Sequence, residues 1–274
     1  MPEGPECRRI AEGLAKVVSG KKITGVEVLS GRYTKKEMSG IKRFSENLPL
    51  GVAGAGVHGK FIYLICEKEF SVWNTLGMSG SWKTQPSKHS RVKFELSNGT
   101  AVYFEDMRNF GTLKFVEGKR QLIEKLESLG PDMLNDDVSP ELFISRLRKK
   151  NTGNICKVLM DQSVVAGVGN YLKADSLWAA GIYPMANVED LSDDDLVYLC
   201  RKIKQVIRAS YESGGATIQT FSGDEYEKGS YSSRFLVYNR KEDQHGNTVV
   251  KTMTPDGRQT YWSELVQTRG KNEA

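Results

Sequence analysis

The first six residues, Met1-Pro2-Glu3-Gly4-Pro5-Glu6, contain groups that could do covalent chemistry. If Met1 is removed before the small residue Pro2, the chain begins with a secondary amine. An α-amino group titrates near about 7.7–8.0, below the roughly 10.4 of lysine, so more of it is neutral at pH 7. Such an amine can attack an aldehyde-like carbon to give an iminium ion, and Glu3 could move protons at that carbon. The alternative is that these residues only begin the first helix.

Metal chemistry has little support in the sequence. The four cysteines lie far apart and no two have C-x-x-C spacing, which argues against a cysteine zinc site and against a disulfide framework. The three histidines could not form a zinc site without acidic ligands. We therefore expect no metal and no organic cofactor. The residues concerned are Cys7, Cys66, Cys156, Cys200, His58, His89 and His245.

The composition is that of an ordinary globular protein. The 274 residues, 39% hydrophobic and 27% charged, exclude a collagenous, coiled-coil or wholly disordered chain. No apolar run approaches the roughly 18 residues of a membrane helix, and Glu3 and Glu6 stand where a signal peptide would be basic. We expect a soluble intracellular protein without membrane contact. The net charge of +5 permits a polyanionic partner without requiring one.

Periodicity predicts the elements that must position these groups. Pro5, an apolar stripe and Gly20 predict a helix over residues 6–18. Alternating residues on both sides of Ser97-Asn98-Gly99 predict a hairpin, and further short strands are expected between residues 23 and 117. After Gly130-Pro131 the pattern becomes helical. The predicted helices cover residues 140–150, 154–161, 173–180 and 192–211, and short strands return beyond Gly214.

We therefore predict an α+β fold with a β-rich N-terminal domain, a helical domain and a terminal β-hairpin. The predicted boundaries are a β-sandwich with a long first helix over 1–117, a linker over 118–137, a helical domain over 138–227 and the hairpin with its tail over 228–274.

Six sequence fragments occur in one order and carry a family likeness. Together they resemble the formamidopyrimidine / endonuclease VIII family of DNA glycosylases over nearly the whole chain. The resemblance implies a bilobal fold with an N-terminal β-sandwich, a helix–two-turn–helix motif and a finger hairpin. The fragments are PEGPE at the start, HGK at 58–60, LGMSGSW at 76–82, RNFG at 108–111, LMDQSVVAGVGNYLKADSLWAAGIYP at 159–184 and GRQTYW at 257–262.

The resemblance implies catalytic roles for four residues. Pro2 looks like the nucleophile that attacks C1′ of a damaged nucleotide, and Glu3 like the acid/base that assists base loss. Lys60 resembles a basic residue that contacts phosphate beside the lesion, and Arg258 resembles the fingertip arginine that assists elimination. Cations at these places would stabilise departing phosphate. By residue type alone, Lys60 and Arg258 are equally compatible with ordinary surface charges.

DNA-contacting residues are also implied by the resemblance. A damaged base must be flipped out of the duplex, and side chains commonly fill the hole. Met78, Arg108 and Phe110 match the family's void-filling trio, although Met78 and Phe110 could instead belong to the core. Asn170 follows a glycine-containing turn and matches a phosphate-binding helix N-terminus, or a plain helix–turn–helix linker. His89 is a further implied DNA contact.

The sequence departs from the family at its C-terminal end. Many members carry a four-cysteine zinc finger there, whereas this chain has Ser263 and Val266 where a second ligand pair would stand. We predict a zincless finger that keeps Arg258 at its tip. An apolar ladder is expected to hold it, formed by Phe235, Val237, Val249, Tyr261 and Trp262.

The implied function is that of a bifunctional glycosylase/AP lyase that acts as a monomer in base excision repair. Its partner would be damaged DNA, duplex and also single-stranded, cleaved by β/δ-elimination. Residues 170–173 resemble the endonuclease VIII branch, so oxidised pyrimidines and hydantoins are favoured over formamidopyrimidines and 8-oxoguanine. Residues 214–229 are a candidate lesion-facing loop. A non-catalytic damage-binding protein of the same fold and a tautomerase that uses Pro2 as a base remain as alternatives.

Overall fold

The computed structural model describes residues 1–149, 153–216 and 229–271. The described residues fall into two units. Unit 1 is Met1–Ser128 with the described part of Gly214–Gly229, and unit 2 is the described part of Leu129–Ser213 and Ser230–Ala274. No helix in the described ranges is long and apolar enough to cross a lipid bilayer. Residues 217–228 of the predicted lesion-facing loop lie outside the described residues.

The first helix, α1 (Gly4–Val18), begins at the predicted start signals. Pro5 lies in the first turn, where its missing N–H would have no intrahelical partner. The carboxylate of Glu6 accepts a hydrogen bond of 2.7 Å from the backbone N–H of Glu3. Along the apolar stripe, Ile10 and Leu14 are buried in the core of unit 1. Burial of this stripe against the sheet supplies most of the helix stability.

The strands of unit 1 form two antiparallel four-stranded halves. The halves, β5-β7-β6-β1 and β2-β3-β4-β8, are joined by two residue pairs between β1 and β2. They share one apolar core, in which the rings of Phe94 and Phe115 stack with centroids 6.1 Å apart. The predicted β-sandwich is therefore confirmed. The strands are β1 (Lys22–Val28), β2 (Leu50–His58), β3 (Phe61–Cys66), β4 (Phe70–Thr75), β5 (Gly80–Lys83), β6 (Ser90–Leu96), β7 (Ala101–Asp106) and β8 (Thr112–Glu117).

The segment predicted as a linker, residues 118–137, divides between the two units. Besides the short α2 (Ile41–Ser45), unit 1 contains α3 (Lys119–Glu127), whose Lys125 ammonium lies 5.5 Å from the ring centre of Phe61. None of the residues of α3 is fully buried, and its short apolar stripe of Leu122, Ile123 and Leu126 was not recognised as a helix within the predicted linker. From Leu129 onward the backbone belongs to unit 2, where Gly130 N–H donates to the carbonyl of Gln162.

Unit 2 contains the predicted helices. Serines precede two of these helices and cap them, since Ser139 Oγ accepts a hydrogen bond from Leu142 N–H and Ser192 Oγ accepts one from Asp195 N–H. The third helix begins three residues earlier than its periodicity predicted, because it is buried on nearly all sides and lacks an amphipathic pattern. The helices are α4 (Pro140–Lys149), α5 (Ile155–Met160), α6 (Asn170–Ala180) and α7 (Asp193–Glu212).

A hairpin of β9 (Val250–Thr254) and β10 (Arg258–Trp262) completes unit 2. The predicted apolar ladder is divided among three contacts. Val237, Val249 and Tyr261 cluster with α6, Phe235 stacks near Tyr171, and Trp262 packs edge-on against Tyr183. The hairpin thus belongs to the same compact unit as the helices.

Asp175 of α6 binds the backbone of residues 237–238, which precede this hairpin in the sequence. Its side chain is fully buried, and Oδ1 accepts hydrogen bonds of 3.0 Å from the backbone N–H groups of both Val237 and Tyr238. Burial raises the pKa of Asp175 to about 6, against the opposing effect of the backbone donors and the Tyr231 hydroxyl. The charged form is therefore retained in the fold at a cost to stability.

Replacing Asp175 by asparagine should stabilise the protein at pH 7.5 by up to about 3 kcal/mol, because both backbone bonds can persist without a buried charge. The folded-state pKa lies above the ordinary value, so wild type gains stability as the pH falls through 6. The gap between the two proteins should therefore narrow as the pH falls below 6 and close near about pH 4, the ordinary pKa of an aspartate, in thermal melts.

Asp243→Asn is the matched control of opposite sign. Asp243 is also buried, and burial by itself would raise its pKa, but hydrogen bonds from Asn247, His245 and Trp178 outweigh this and lower it. This control should lose stability at pH 7.5. A pH-independent gap between Asp175→Asn and wild type would contradict the account of Asp175.

Candidate active site

The N-terminal residues are held inside unit 1. Pro2 is buried and Glu3 is only 2% exposed. The fully buried carboxylate of Glu6 accepts one hydrogen bond from Glu3 N–H and another, of 2.7 Å, from Ala216 N–H. Glu3 is also the N-cap residue of α1. The segment therefore begins the helix and, at the same time, keeps a buried carboxyl group directly beside Pro2.

Lys60 lies in the tight loop between β2 and β3. His58 pairs with Phe61 across this loop, and Gly59 has a φ of 57°, which a two-residue hairpin loop needs at its first central position. The backbone carbonyl of Lys60 lies 4.0 Å from the Sγ atom of Cys7 in α1. The fold thus brings the loop that carries Lys60 next to the first turns of α1.

Met78 and Phe110 lie on two neighbouring turns of unit 1 and not in the core. Their exposed fractions are 38% and 55%. The two turns touch, since a Cβ at Gly77 would lie 2.7 Å from the backbone N of Gly111. The guanidinium of Arg108 lies 5.2 Å from the centre of the Phe110 ring. The three residues predicted to fill a void are therefore presented together.

A single carboxylate connects these two turns. Asp106 is 1% exposed, and it accepts hydrogen bonds from Ser79 Oγ (2.6 Å), Gly111 N–H (2.6 Å) and Arg108 N–H (3.2 Å). Ser79 belongs to the turn of Met78, and the other two donors belong to the turn of Phe110. Because the carboxylate is buried, losing it would leave these donors unsatisfied.

His89 belongs to the same end of the sandwich. It is half-buried in the turn before β6, and its carbonyl accepts a hydrogen bond of 3.0 Å from the backbone N–H of Asp106. The neighbouring Arg91 donates through Nε to the carbonyl of Asp106 at 2.7 Å. Backbone bonds thus tie the His89 turn to the residue that holds the two exposed turns.

Asn170 and Arg258 lie close together in unit 2. Asn170 begins α6, and its Nδ2 donates a hydrogen bond of 3.1 Å to the carbonyl of Gln259. Its Oδ1 is buried without a hydrogen-bond partner. Arg258 is exposed at the start of β10. An exposed guanidinium therefore lies one residue from the strand position that binds a helix N-terminus, a combination suited to anions.

Two sequence profiles match the chain. One, described as Formamidopyrimidine-DNA glycosylase N-terminal domain, matches residues 1–113, and another, described as Formamidopyrimidine-DNA glycosylase H2TH domain, matches residues 129–222. The chain belongs to the formamidopyrimidine-DNA glycosylase family. It is therefore an enzyme of base excision repair.

Relatives that bear the formamidopyrimidine-DNA glycosylase name align along nearly their whole length. The Zymomonas mobilis protein is 30% identical over 268 residues, which covers 95% of this chain and 97% of the relative. A Prochlorococcus marinus protein is 32% identical over 282 residues, which covers 96% of this chain and 98% of the relative. The family assignment therefore extends over both units.

Solved structures of this family show the same fold. A structure of MutM in complex with carbocyclic 8-oxo-G containing DNA is 25% identical and superposes with a TM-score of 0.85, covering 97% of this chain and 99% of that one. A complex between the Lactococcus lactis Fpg and an abasic site containing DNA gives the same TM-score at 24% identity, with coverage of 97% and 99%. The β-sandwich and the helical domain are thus those of a formamidopyrimidine-DNA glycosylase.

Several residues that hold this candidate site together were missed by sequence reasoning. Glu6 carried a signal, because a glutamate three residues after an N-cap is typical of a capping box. Asp106 carried none, since an acidic residue beside a turn is usually solvent-exposed. Lys173 and Asp256, described below, also gave no signal, because each takes its role from a partner distant in the sequence.

Removal of the Asp106 carboxylate should release both turns. We expect Asp106→Ala to lower the free energy of unfolding by roughly 1–3 kcal/mol, the cost of unsatisfied buried donors. Hydrogen exchange at residues 77–80 and 107–111 should become faster than in wild type. Glu37→Ala, which removes an exposed carboxylate of the same unit, should change neither quantity. We call this arrangement, in which the Asp106 carboxylate binds both turns, the Asp106 clamp. Unchanged protection of both turns from hydrogen exchange in Asp106→Ala would contradict it.

Proposed function

We propose that this glycosylase also has AP lyase activity and that Pro2 is its nucleophile. The observation that carries the proposal is the burial of Pro2 and Glu3 at the fixed start of α1, with the Lys60 loop beside them. An exposed segment at this position would serve only to begin the helix. Here a carboxyl group, a lysine loop and the chain terminus are concentrated in one region.

The reaction follows from these groups. Once Met1 is removed, the Pro2 nitrogen forms a bond to C1′ as the bond to the damaged base breaks, and Glu3 supplies the proton that the leaving group needs. The C1′–O4′ bond then breaks as O4′ takes up a proton and the Pro2 nitrogen loses its own, which opens the sugar ring and leaves an iminium ion between C1′ and Pro2. This iminium ion acidifies the C2′ proton, whose removal expels the 3′ phosphate by β-elimination. A second elimination releases the 5′ phosphate. Lys60 and Arg258 stabilise the phosphate charge in these steps.

The exposed turns of unit 1 would fill the space left by the flipped nucleotide. Met78 and Phe110 enter the stack as apolar wedges, and Arg108 donates to the unpaired base. Their exposure, their contact and the Asp106 clamp support this role. His89 contacts the DNA backbone next to them. A residue needed only for the core would not be left half-exposed on a tip.

Unit 2 would bind the DNA backbone and carry a zincless finger. Asn170 and the α6 N-terminus contact phosphate, and Arg258 reaches the phosphates beside the lesion. Zinc does not fit the hairpin, since the last cysteine in the sequence is Cys200 and the described residues hold no group of three or more His, Cys, Asp or Glu able to bind a metal. We retain the predicted division into a catalytic domain (1–117), a DNA-binding domain (138–227) and a finger (228–274).

We expect damaged duplex DNA as the main partner, a monomeric enzyme and a location inside the cell with access to DNA. Oxidised pyrimidines and hydantoins are the proposed lesions, because residues 170–173 resemble the endonuclease VIII branch. The names of the relatives favour a second candidate, formamidopyrimidines. Solved relatives bound to DNA containing Fapy-dG or 8-oxo-G make ring-opened and oxidised purines the natural comparison substrates.

Borohydride trapping tests the nucleophile. Protein that lacks Met1 should form a covalent adduct with duplex DNA that carries an abasic site, and Pro2→Thr should lose most of it. Glu3→Gln should slow excision of a damaged base by roughly 100-fold or more, as loss of an acid/base group does. Glu12→Gln, on the exposed side of α1, is the matched control and should be unaffected. Adduct formation by protein shown by mass spectrometry to retain Met1 would exclude the mechanism.

Lesion preference is tested by single-turnover excision across a panel of oligonucleotides. Each carries one lesion: thymine glycol, 5-hydroxyuracil, a hydantoin, a formamidopyrimidine or 8-oxoguanine, in duplex and single-stranded form. We expect the pyrimidine lesions and hydantoins to be excised fastest. Faster excision of formamidopyrimidine and 8-oxoguanine would assign the chain to the second candidate. Binding of these lesions with no excision would instead favour a damage-binding protein without catalysis.

A further inference from the structure

A buried ion pair joins α6 to the turn of the hairpin. The Nζ atom of Lys173 lies 2.5 Å from Oδ2 of Asp256, and the two side chains are 0% and 3% exposed. Lysine is almost never fully buried without a partner. Lys173 lies in the helix that Asn170 begins, and Asp256 lies in the turn that Arg258 follows. The pair therefore connects the two candidate phosphate-binding groups of unit 2.

The second oxygen of Asp256 organises the turn itself. Oδ1 accepts a hydrogen bond of 2.6 Å from Thr254 Oγ1 and one of 3.3 Å from the backbone N–H of Arg258. Thr254 Oγ1 also lies 2.7 Å from the hydroxyl of Thr260, and both threonines are buried. One carboxylate thus binds the ammonium on α6, the start of the turn and the backbone of Arg258.

Asp256 is ionised in this setting. Burial by itself would raise the pKa of its carboxyl group, but the Lys173 ammonium and the hydrogen bonds from Thr254 and Arg258 outweigh burial and lower it. A charged pair removed from water stabilises a fold little compared with an apolar pair of the same size. Its directional bonds, however, permit one arrangement of the turn.

We propose that Lys173 and Asp256 are positioning residues that fix the orientation of the hairpin turn on α6 and thereby place Arg258 for strand cleavage. They would give the hairpin turn the fixed geometry that a structural metal gives to many zinc fingers, in a hairpin whose sequence contains no cysteine. The inference rests on the function proposed above for Arg258. It adds that this function depends on a lysine three residues into the neighbouring helix.

A double-mutant cycle tests whether Lys173 acts through Arg258. We compare wild type, Lys173→Met, Arg258→Ala and the double variant, each as the full chain with Met1 removed. Single-turnover cleavage of DNA with a preformed abasic site is measured well below the melting temperature of every variant. Lys202→Met, a lysine of α7 outside the proposed site, is the matched control and should cleave like wild type.

Lys173→Met is expected to slow strand cleavage by about tenfold or more, the scale of losing one positioned charge, while borohydride trapping changes by less than about threefold. In the Arg258→Ala background, the same substitution should change cleavage by less than about twofold, because the group it positions is already gone. Equal losses in both backgrounds would overturn the proposal, since they would reflect general destabilisation. Unchanged cleavage in Lys173→Met would overturn it as well.

Hydrogen exchange tests whether Lys173 and Asp256 anchor the hairpin turn, independently of the role proposed for Arg258. If Arg258→Ala cleaves normally, the function proposed for Arg258 has failed, and faster exchange at residues 254–258 in Lys173→Met would still support the anchor. Unchanged exchange there would reject the anchor regardless of activity. Should Lys173→Met not fold, Asp256→Asn carries the same comparison, because the amide keeps the size of the side chain and can still accept from Thr254.

Discussion

A buried carboxylate needs hydrogen-bond donors or a cation beside it, and four such groups hold segments of this chain in place. Glu6 holds the N-terminal residues, Asp106 the two exposed turns, Asp175 the chain ahead of the hairpin and Asp256 the hairpin turn. Glu6, Asp106 and Asp256 each accept from donors on separate segments, so the position of one of these side chains determines the position of more than one segment. Loops that carry function are usually the mobile part of a fold. In this glycosylase they are fixed without apolar cores of their own.

The elements of this fold could be predicted from the sequence because they bury apolar stripes, and a stripe is visible in the sequence of a single element. The β6–β7 hairpin and helices α4 and α7 follow this rule. Helix α3 and the first turn of α6 do not follow this rule. Helix α3 has no fully buried residue, whereas α6 is buried on nearly all sides and so has no polar face to contrast with an apolar one. The exposure of Met78 and Phe110 could be anticipated from their glycine and polar neighbours. Their connection through Asp106 could not, because burial of a carboxylate depends on donors elsewhere in the chain.

The hairpin shows how stability and orientation can come from different contacts. Structural zinc contributes about 10–16 kcal/mol to small finger peptides and fixes geometry at the same time. Here the aromatic and aliphatic contacts around α6 provide apolar burial, which is favourable but not directional. The Lys173–Asp256 pair and its threonines provide direction with little net stabilisation. An apolar ladder was predictable from residue type, whereas a buried lysine that meets an aspartate 83 positions away was not.

Glu3 stands where two electrostatic effects oppose each other. Burial destabilises a charged carboxylate, while the N-terminal end of α1 stabilises one through the helix dipole. Serine, threonine, aspartate and asparagine are the residues preferred at an N-cap, whereas here Glu3 forms a capping box with Glu6. The acid/base role proposed above for Glu3 would account for a glutamate at this position, since departures from local structural preference are expected at functional sites.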